Sequence, residues 1–147
     1  MNSSLPKKIV LTGNDLTIDQ VMRVARDRVK VGIDNEAMKR VSRAYDLLIL
    51  AACQGVEIYG LTNSVGAKRD VKIFNCNISK NGGKELSDEA IANSKDFNER
   101  ILYSHNTNVG SELGEKTVRA MMLARLNTML KGITACSPNV IRMLEEF

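Results

Sequence analysis

Residues 115–131 constrain the fold more than any other stretch of this chain. Val118, Ala120, Met121, Met122, Leu123, Ala124, Leu126, Met129 and Leu130 give a strong helix, and Gly132 supplies its expected stop. The apolar side chains run nearly all round the axis, which predicts burial on most faces. Arg119, Arg125 and Asn127 interrupt that surface and are expected to find partners inside, because a buried polar group without a hydrogen bond is costly.

The rest of the chain has to cover this helix. Ile9-Val10-Leu11 followed by Thr12-Gly13-Asn14-Asp15 reads as a short strand and a turn. Thr17-Ile18-Asp19-Gln20 fits a capping box, and Ile18, Val21, Met22, Ala25 and Val29 follow on one face, predicting a helix that ends near Gly32. Asn35 is the next cap, opening a second amphipathic helix through Met38, Val41, Ala44, Tyr45, Leu48 and Ala52 to Gln54-Gly55. A third begins at Leu86-Ser87-Asp88-Glu89 and carries Ile91, Phe97, Ile101 and Leu102 to about Ser104, before a break at Asn106–Gly114. Ser137-Pro138 caps a last helix whose stripe of Val140, Ile141, Leu144 and Phe147 runs to the final residue. The expected fold is mainly α, with a short strand near the N-terminus and a long loop at about 53–85. Glycines 55, 60, 66, 82 and 83 and Asn63, Asn75, Asn77 and Asn81 supply turn chemistry in that loop, whose length points to function or to an incomplete domain. Five helices with so little to cover them imply burial against another polypeptide.

Composition excludes several classes. No run of about 18 uncharged apolar residues occurs, and Met1–Lys8 has no apolar segment behind its charges, so neither a membrane span nor a signal peptide is expected and the default address is the cytoplasm. Cys53, Cys76, Cys136 and the single His105 make neither a disulfide framework nor a zinc set, and no metal is expected. The net charge of +4 sits in one segment: residues 68–84 hold five basic groups and one acidic, while the flanking parts cancel. Lys68, Arg69, Lys72, Lys80 and Lys84 lie among glycines with Phe74 as the only aromatic, which reads as a solvated loop rather than a nucleic-acid surface. Attraction of a substrate carboxylate is the alternative use of that charge.

Few groups offer chemistry by themselves. Tyr59 lies in the glycine-flanked Ile58-Tyr59-Gly60, His105 at a helix end, and Arg119, Arg125 and Asn127 on the apolar helix; no serine elbow, phosphate loop or carboxylate pair stands out. A lone tyrosine is most often an amphipathic space-filler, and a lone histidine a hydrogen-bonded structural residue.

Their order changes that weighting. Val10-Leu11-Thr12-Gly13 with Leu16-Thr17, then Tyr59-Gly60-Leu61-Thr62-Asn63-Ser64-Val65-Gly66, then Leu102-Tyr103-Ser104-His105 through Val109-Gly110, and finally Val118-Arg119-Ala120-Met121 through Arg125-Leu126-Asn127 and Lys131-Gly132 follow one another along the chain. This succession resembles the N-terminal part of the aromatic amino acid ammonia-lyases, the histidine, phenylalanine and tyrosine ammonia-lyase family. Its tyrosine loop reads Y-G-x-N-T-G-F-G, its histidine block L-x-S-H-x-x-G-V-G and its helix V-R-A-x-M-x-x-R-x-N.

The resemblance implies elimination of ammonia from an aromatic L-amino acid, giving the trans-α,β-unsaturated acid. Tyr59 would be the base that removes the β-proton, with His105, Gly66 and Leu61 lining the substrate pocket, and a polar histidine there favours a histidine- or tyrosine-like ring. A phenol ordinarily titrates near 10, so such a base needs surroundings that stabilise phenolate. The family's electrophile, methylidene-imidazolone, is made from an Ala-Ser-Gly triplet, and none occurs in these 147 residues. The expectation is therefore that residues 1–147 are an N-terminal ammonia-lyase-like segment, incomplete without a large lyase subunit or the remainder of a lyase chain, in a hetero-oligomer with a tetrameric-type core. An aminomutase of the same family and a non-catalytic interaction subunit derived from it are the alternatives. Thr62-Asn63-Ser64-Val65 also departs from the family's N-T-G-F, which changes the polar groups after the tyrosine and puts Ser64 where the family has a flexible glycine.

Overall fold

The computed structural model describes residues 8–74 and 76–146. Met1–Lys7, the turn residue Asn75 and Phe147 of the last apolar stripe lie outside the described residues. The architecture is mainly helical, in the order β1 (Lys8–Leu11), α1 (Ile18–Asp27), β2 (Lys30–Ile33), α2 (Asn35–Cys53), a 3-10 turn (Gly66–Lys68), β3 (Ser79–Lys80), β4 (Glu85–Leu86), α3 (Asp88–His105), α4 (Glu115–Met129) and α5 (Pro138–Glu146). Among the described residues no helix is long and apolar enough to cross a membrane. Two compact units form, one from the described parts of Met1–Tyr45 and Ser111–Phe147, the other from Asp46–Gly110.

The first unit is built on a core of Ile9, Leu11, Val24, Ala37, Val41, Leu123, Leu126, Leu130 and Ile141. Each fully buried Leu or Ile here contributes roughly 1.5–3 kcal/mol. The capping box of α1 is formed: the Thr17 hydroxyl accepts from the Gln20 amide at 3.3 Å, and the Gln20 side chain accepts from the Thr17 amide at 2.9 Å. That helix does not continue to Gly32. Arg28 turns left-handed at φ 54°, and Lys30–Ile33 pairs in parallel with Lys8–Leu11, Ile9 opposite Val31. Val29 lies between helix and strand, its amide donating to the Arg23 carbonyl at 3.4 Å, while the β-branched Val31 and Ile33 answer to a partner about twenty residues away. The cap of α2 is Asp34, one residue before the expected Asn35, its carboxylate accepting from the Ala37 amide at 3.0 Å.

Helix α4 is buried on one side only. Leu123, Leu126 and Asn127 are buried, followed by Leu130 at its C-cap, but Met121, Arg125 and Thr128 share an outward face and are exposed. Of the three polar residues expected to find partners inside, Arg119 is half-buried and donates to the Val24 carbonyl at 3.3 Å, Asn127 is buried, and Arg125 lies at the surface. Arg28 and Glu115 form a bidentate pair at 2.8 and 2.9 Å, exposed and so worth at most about 1 kcal/mol.

The Thr12-Gly13 corner is fixed by α4 and α2. The side-chain oxygen of Asn127 accepts from the Gly13 amide at 3.1 Å, while the Arg40 guanidinium donates to the carbonyls of Thr12 and Leu130. Gly13 has φ +93°, and a Cβ there would stand 2.9 Å from the Leu130 carbonyl carbon, so glycine is needed for both conformation and space. Gly132, at φ +77°, follows the end of α4 within three residues, in keeping with the stop read from the sequence, and a Cβ there would stand 3.1 Å from the Arg40 carbonyl oxygen. Replacing Asn127 by Ala leaves the Gly13 amide buried and unpaired. The expected result is a loss of about 1–3 kcal/mol in urea unfolding, and an unchanged midpoint would show that this bond carries no stability.

Candidate active site

The second unit holds the sequence-expected site residues. Few apolar side chains are buried in it: Ala52, Phe74 and Ala90, beside the polar Thr62 and Asn63. Its long connection is ordered by hydrogen bonds instead. Residues 79–80 and 85–86 pair as an antiparallel hairpin closed by Asn81, Gly82 and Gly83, all at positive φ. Upstream, the backbone ladder joins Tyr59 to Asn63 and Asn63 to Lys72, so the tyrosine stands on a small bridged turn.

Thr62 organises that turn. Its hydroxyl accepts from the Ile58 amide at 2.6 Å and lies 3.1 Å from the Val56 carbonyl, to which it donates. The amides of Thr62 and Asn63 both reach the Ile58 carbonyl, at 2.9 and 3.0 Å, and Ile73 donates back to the Thr62 carbonyl at 2.9 Å. Two glycines close the loop: Gly60 at φ +77° and Gly66 at φ +62°, conformations that a side chain strains.

Tyr59 is 66% exposed, and its phenol oxygen accepts from the Gly66 amide at 3.0 Å. That amide is the first of the 3-10 turn Gly66–Lys68, so the phenol oxygen meets a free backbone donor rather than a competing acceptor. The bond brings Tyr59 and Gly66 together across seven residues. Leu61 is half-buried beside them in the same turn. His105 lies at the last position of α3 and is exposed; its Nδ1 is 3.0 Å from the Ile101 carbonyl and 2.9 Å from the Ser104 hydroxyl, contacts local to its own helix. No hydrogen bond among the described residues joins it to the tyrosine turn. Leu102, Tyr103 and Val109 around it are exposed. Ala90 is the buried residue of α3, and Ser87 caps the helix as expected, accepting from the Ala90 amide at 3.1 Å.

The charged segment is solvated. Lys68, Arg69 and Lys72 are exposed, Arg69 being 3.9 Å from the neighbouring Asp70. Lys80 donates to Asp88 at 2.8 Å, and that bond, with the charge behind it, raises the lysine above its ordinary value. Burial, then the carboxylate of Glu85, pushes the Cys53 thiol up, which makes it a poor nucleophile at neutral pH. All three cysteines are free, and no group of three metal-ligating side chains occurs among the described residues. Thr62 and Asn63 are the residues whose part in the site the sequence left unassigned. Their signal was the reversal of the family's N-T to T-N.

Residues 16–147 match the sequence model of the aromatic amino acid lyases. Histidine ammonia-lyase of Geobacillus thermodenitrificans is 35% identical over 139 residues, covering 95% of this chain and 24% of the relative. The enzyme of the same name from Caldanaerobacter subterraneus is 31% identical over 140 residues, again 95% of this chain and 24% of the relative. Among solved structures, the ergothioneine-degrading ergothionase of Treponema denticola superposes with a TM-score of 0.78 at 30% identity, covering 95% of this chain and 25% of that one. Tyrosine aminomutase of Streptomyces globisporus gives 0.75 at 26% identity, with 95% and 23% covered. The chain thus spans about a quarter of the length of the curated relatives it matches. With the family's sequence model covering all but the first fifteen residues, and the fold shared, this chain belongs to the aromatic amino acid lyase family.

Proposed function

We propose that the chain supplies the tyrosine turn of a lyase that removes ammonia from an aromatic L-amino acid of histidine- or tyrosine-like kind, with Tyr59 as the base. The single observation that carries this reading is the Gly66 amide donating to the phenol oxygen. A backbone N–H aimed there stabilises negative charge on the oxygen, the form in which a phenol accepts a proton. In the reaction, the Cβ–H proton passes to the Tyr59 oxygen, its electron pair forms the Cα–Cβ double bond, and the Cα–N bond breaks to release ammonia. The methylidene-imidazolone of this family supplies the electron sink that makes the amino group a leaving group. The 147 residues contain no Ala-Ser-Gly triplet, so that group forms from other residues than these.

We assign the missing part of the pocket to a large lyase subunit or the remainder of a lyase chain, within a hetero-oligomer of tetrameric type. The exposure of Tyr59 supports this, since a base for this chemistry works with water excluded. So do the exposed Leu47, Leu102, Tyr103, Met121 and Ile133, which are surfaces suited to burial. His105 would face the substrate ring, with Leu61 and Gly66 shaping the wall beside the phenol. The likeness to a tyrosine aminomutase favours a second reading, in which ammonia is re-added at the β-carbon, and product analysis separates the two. The three free thiols suit a cytoplasmic location.

In the complex with the triplet-bearing polypeptide, Tyr59→Phe is expected to lower kcat by about 10²–10⁴-fold, followed as absorbance of the unsaturated acid. Undiminished turnover would make this chain a non-catalytic interaction subunit. Thr62→Val keeps the shape but removes the acceptor for the Ile58 amide and the donor to Val56. Faster hydrogen exchange at Ile58 and Gly66 is expected, with amides of α4 unaffected. Unchanged exchange at both would mean that the hydroxyl does not hold the turn.

A further inference from the structure

Asn63 is 8% exposed, and its side-chain oxygen is fully buried without a hydrogen-bond partner. The main chain of the same residue is fully engaged: its amide donates to the Ile58 carbonyl at 3.0 Å, and its carbonyl accepts from the Gly60 amide at 2.8 Å. Asn63 is also the rung between Tyr59 and Lys72. An uncompensated polar group therefore sits at the centre of the turn that holds Tyr59 against Gly66. Little apolar burial offsets it, since only Ala52, Phe74 and Ala90 are buried apolar residues in this unit among those described.

We propose that Asn63 is a positioning residue that keeps the closed tyrosine turn shallow, so that the Tyr59–Gly66 contact opens readily to admit substrate and re-forms around it. The proposal rests on Tyr59 being the base. Its physical content is that a buried carboxamide loses its water partners only while the turn is closed, and regains them each time the turn opens. The sequence supports a role particular to this chain: asparagine stands where the family pattern has threonine, whose hydroxyl satisfies itself on a nearby carbonyl.

Amide hydrogen exchange on the full 147-residue chain tests it without any partner, because the Gly66 amide reports the closed turn directly. Asn63→Leu, which removes the unpaired group at similar volume, is expected to slow exchange at Gly60 and Gly66 by roughly tenfold or more, with the α4 amides unchanged. Asn63→Thr is expected to act in the same direction and decides the matter should the leucine variant fail to fold. Exchange at Gly66 that is equal or faster in the folded variants overturns the proposal. In the assembled enzyme, Asn63→Thr should reduce kcat more than it changes KM, because opening slows while substrate contacts persist. A fall in stability with no such split would mark Asn63 as merely structural. The two claims fail separately: full activity in Tyr59→Phe refutes the catalytic reading and leaves the exchange result standing, whereas unaltered exchange refutes the role of Asn63 and leaves the base in place.

Discussion

The bond between the Asn127 side chain and the Gly13 amide sets the geometry of the first unit. It ties the corner after β1 to the last turn of α4 across 114 residues, and it is buried. Once that corner is fixed, the Arg40 guanidinium can reach the Thr12 and Leu130 carbonyls, which brings α2 to the same place. Three elements distant in the chain are thereby held at one point, and the hydrophobic core of Leu11, Val41, Leu126 and Leu130 closes around it. The polar contacts specify which surfaces meet, while the apolar contacts supply most of the free energy.

This division explains what was legible in the sequence. Features set by local chemistry could be read directly: the Thr17–Gln20 capping box, the Ser87 cap, the ends of α2 and α3, and the stop at Gly132 all follow from residues within a turn of one another. Features set by a distant partner could not. Lys30–Ile33 looked like the end of a helix because its β-strand character depends on β1, and Arg125 looked buried because α4's composition does not say which face its neighbours cover. The family blocks were visible as words before their reasons were. Thr12-Gly13, Asn127 and Gly132 turn out to be neighbours of a single junction, where a larger residue at either glycine meets backbone atoms at 2.9–3.1 Å.

The tyrosine turn obeys a different balance. It is held by a dense set of backbone bonds around Ile58, Thr62 and Asn63 and by the Tyr59–Gly66 contact, with little apolar surface beneath. Hydrogen bonds exchanged against water give a small net stability each, so such a segment can break and re-form without unfolding its surroundings. Segments that gate access to chemistry are drawn from this low-stability end of a structure. The sequence signalled the turn through its glycines but not its internal wiring, since Thr62 reads as an ordinary polar residue until its hydroxyl is seen bridging Ile58 and Val56.

The same balance bears on why a base would be left so open to solvent. A tyrosine two-thirds exposed beside one amide donor is preoriented, because its oxygen is already placed by the Gly66 contact. It is not yet desolvated, and the stabilisation that an amide gives to phenolate grows as water is removed and the local dielectric falls. Orientation can therefore be built into this chain alone, whereas the low-dielectric environment has to come from whatever covers the turn. On the proposed reading, Tyr59 would therefore gain its low-dielectric environment only once a substrate and a covering surface are in place.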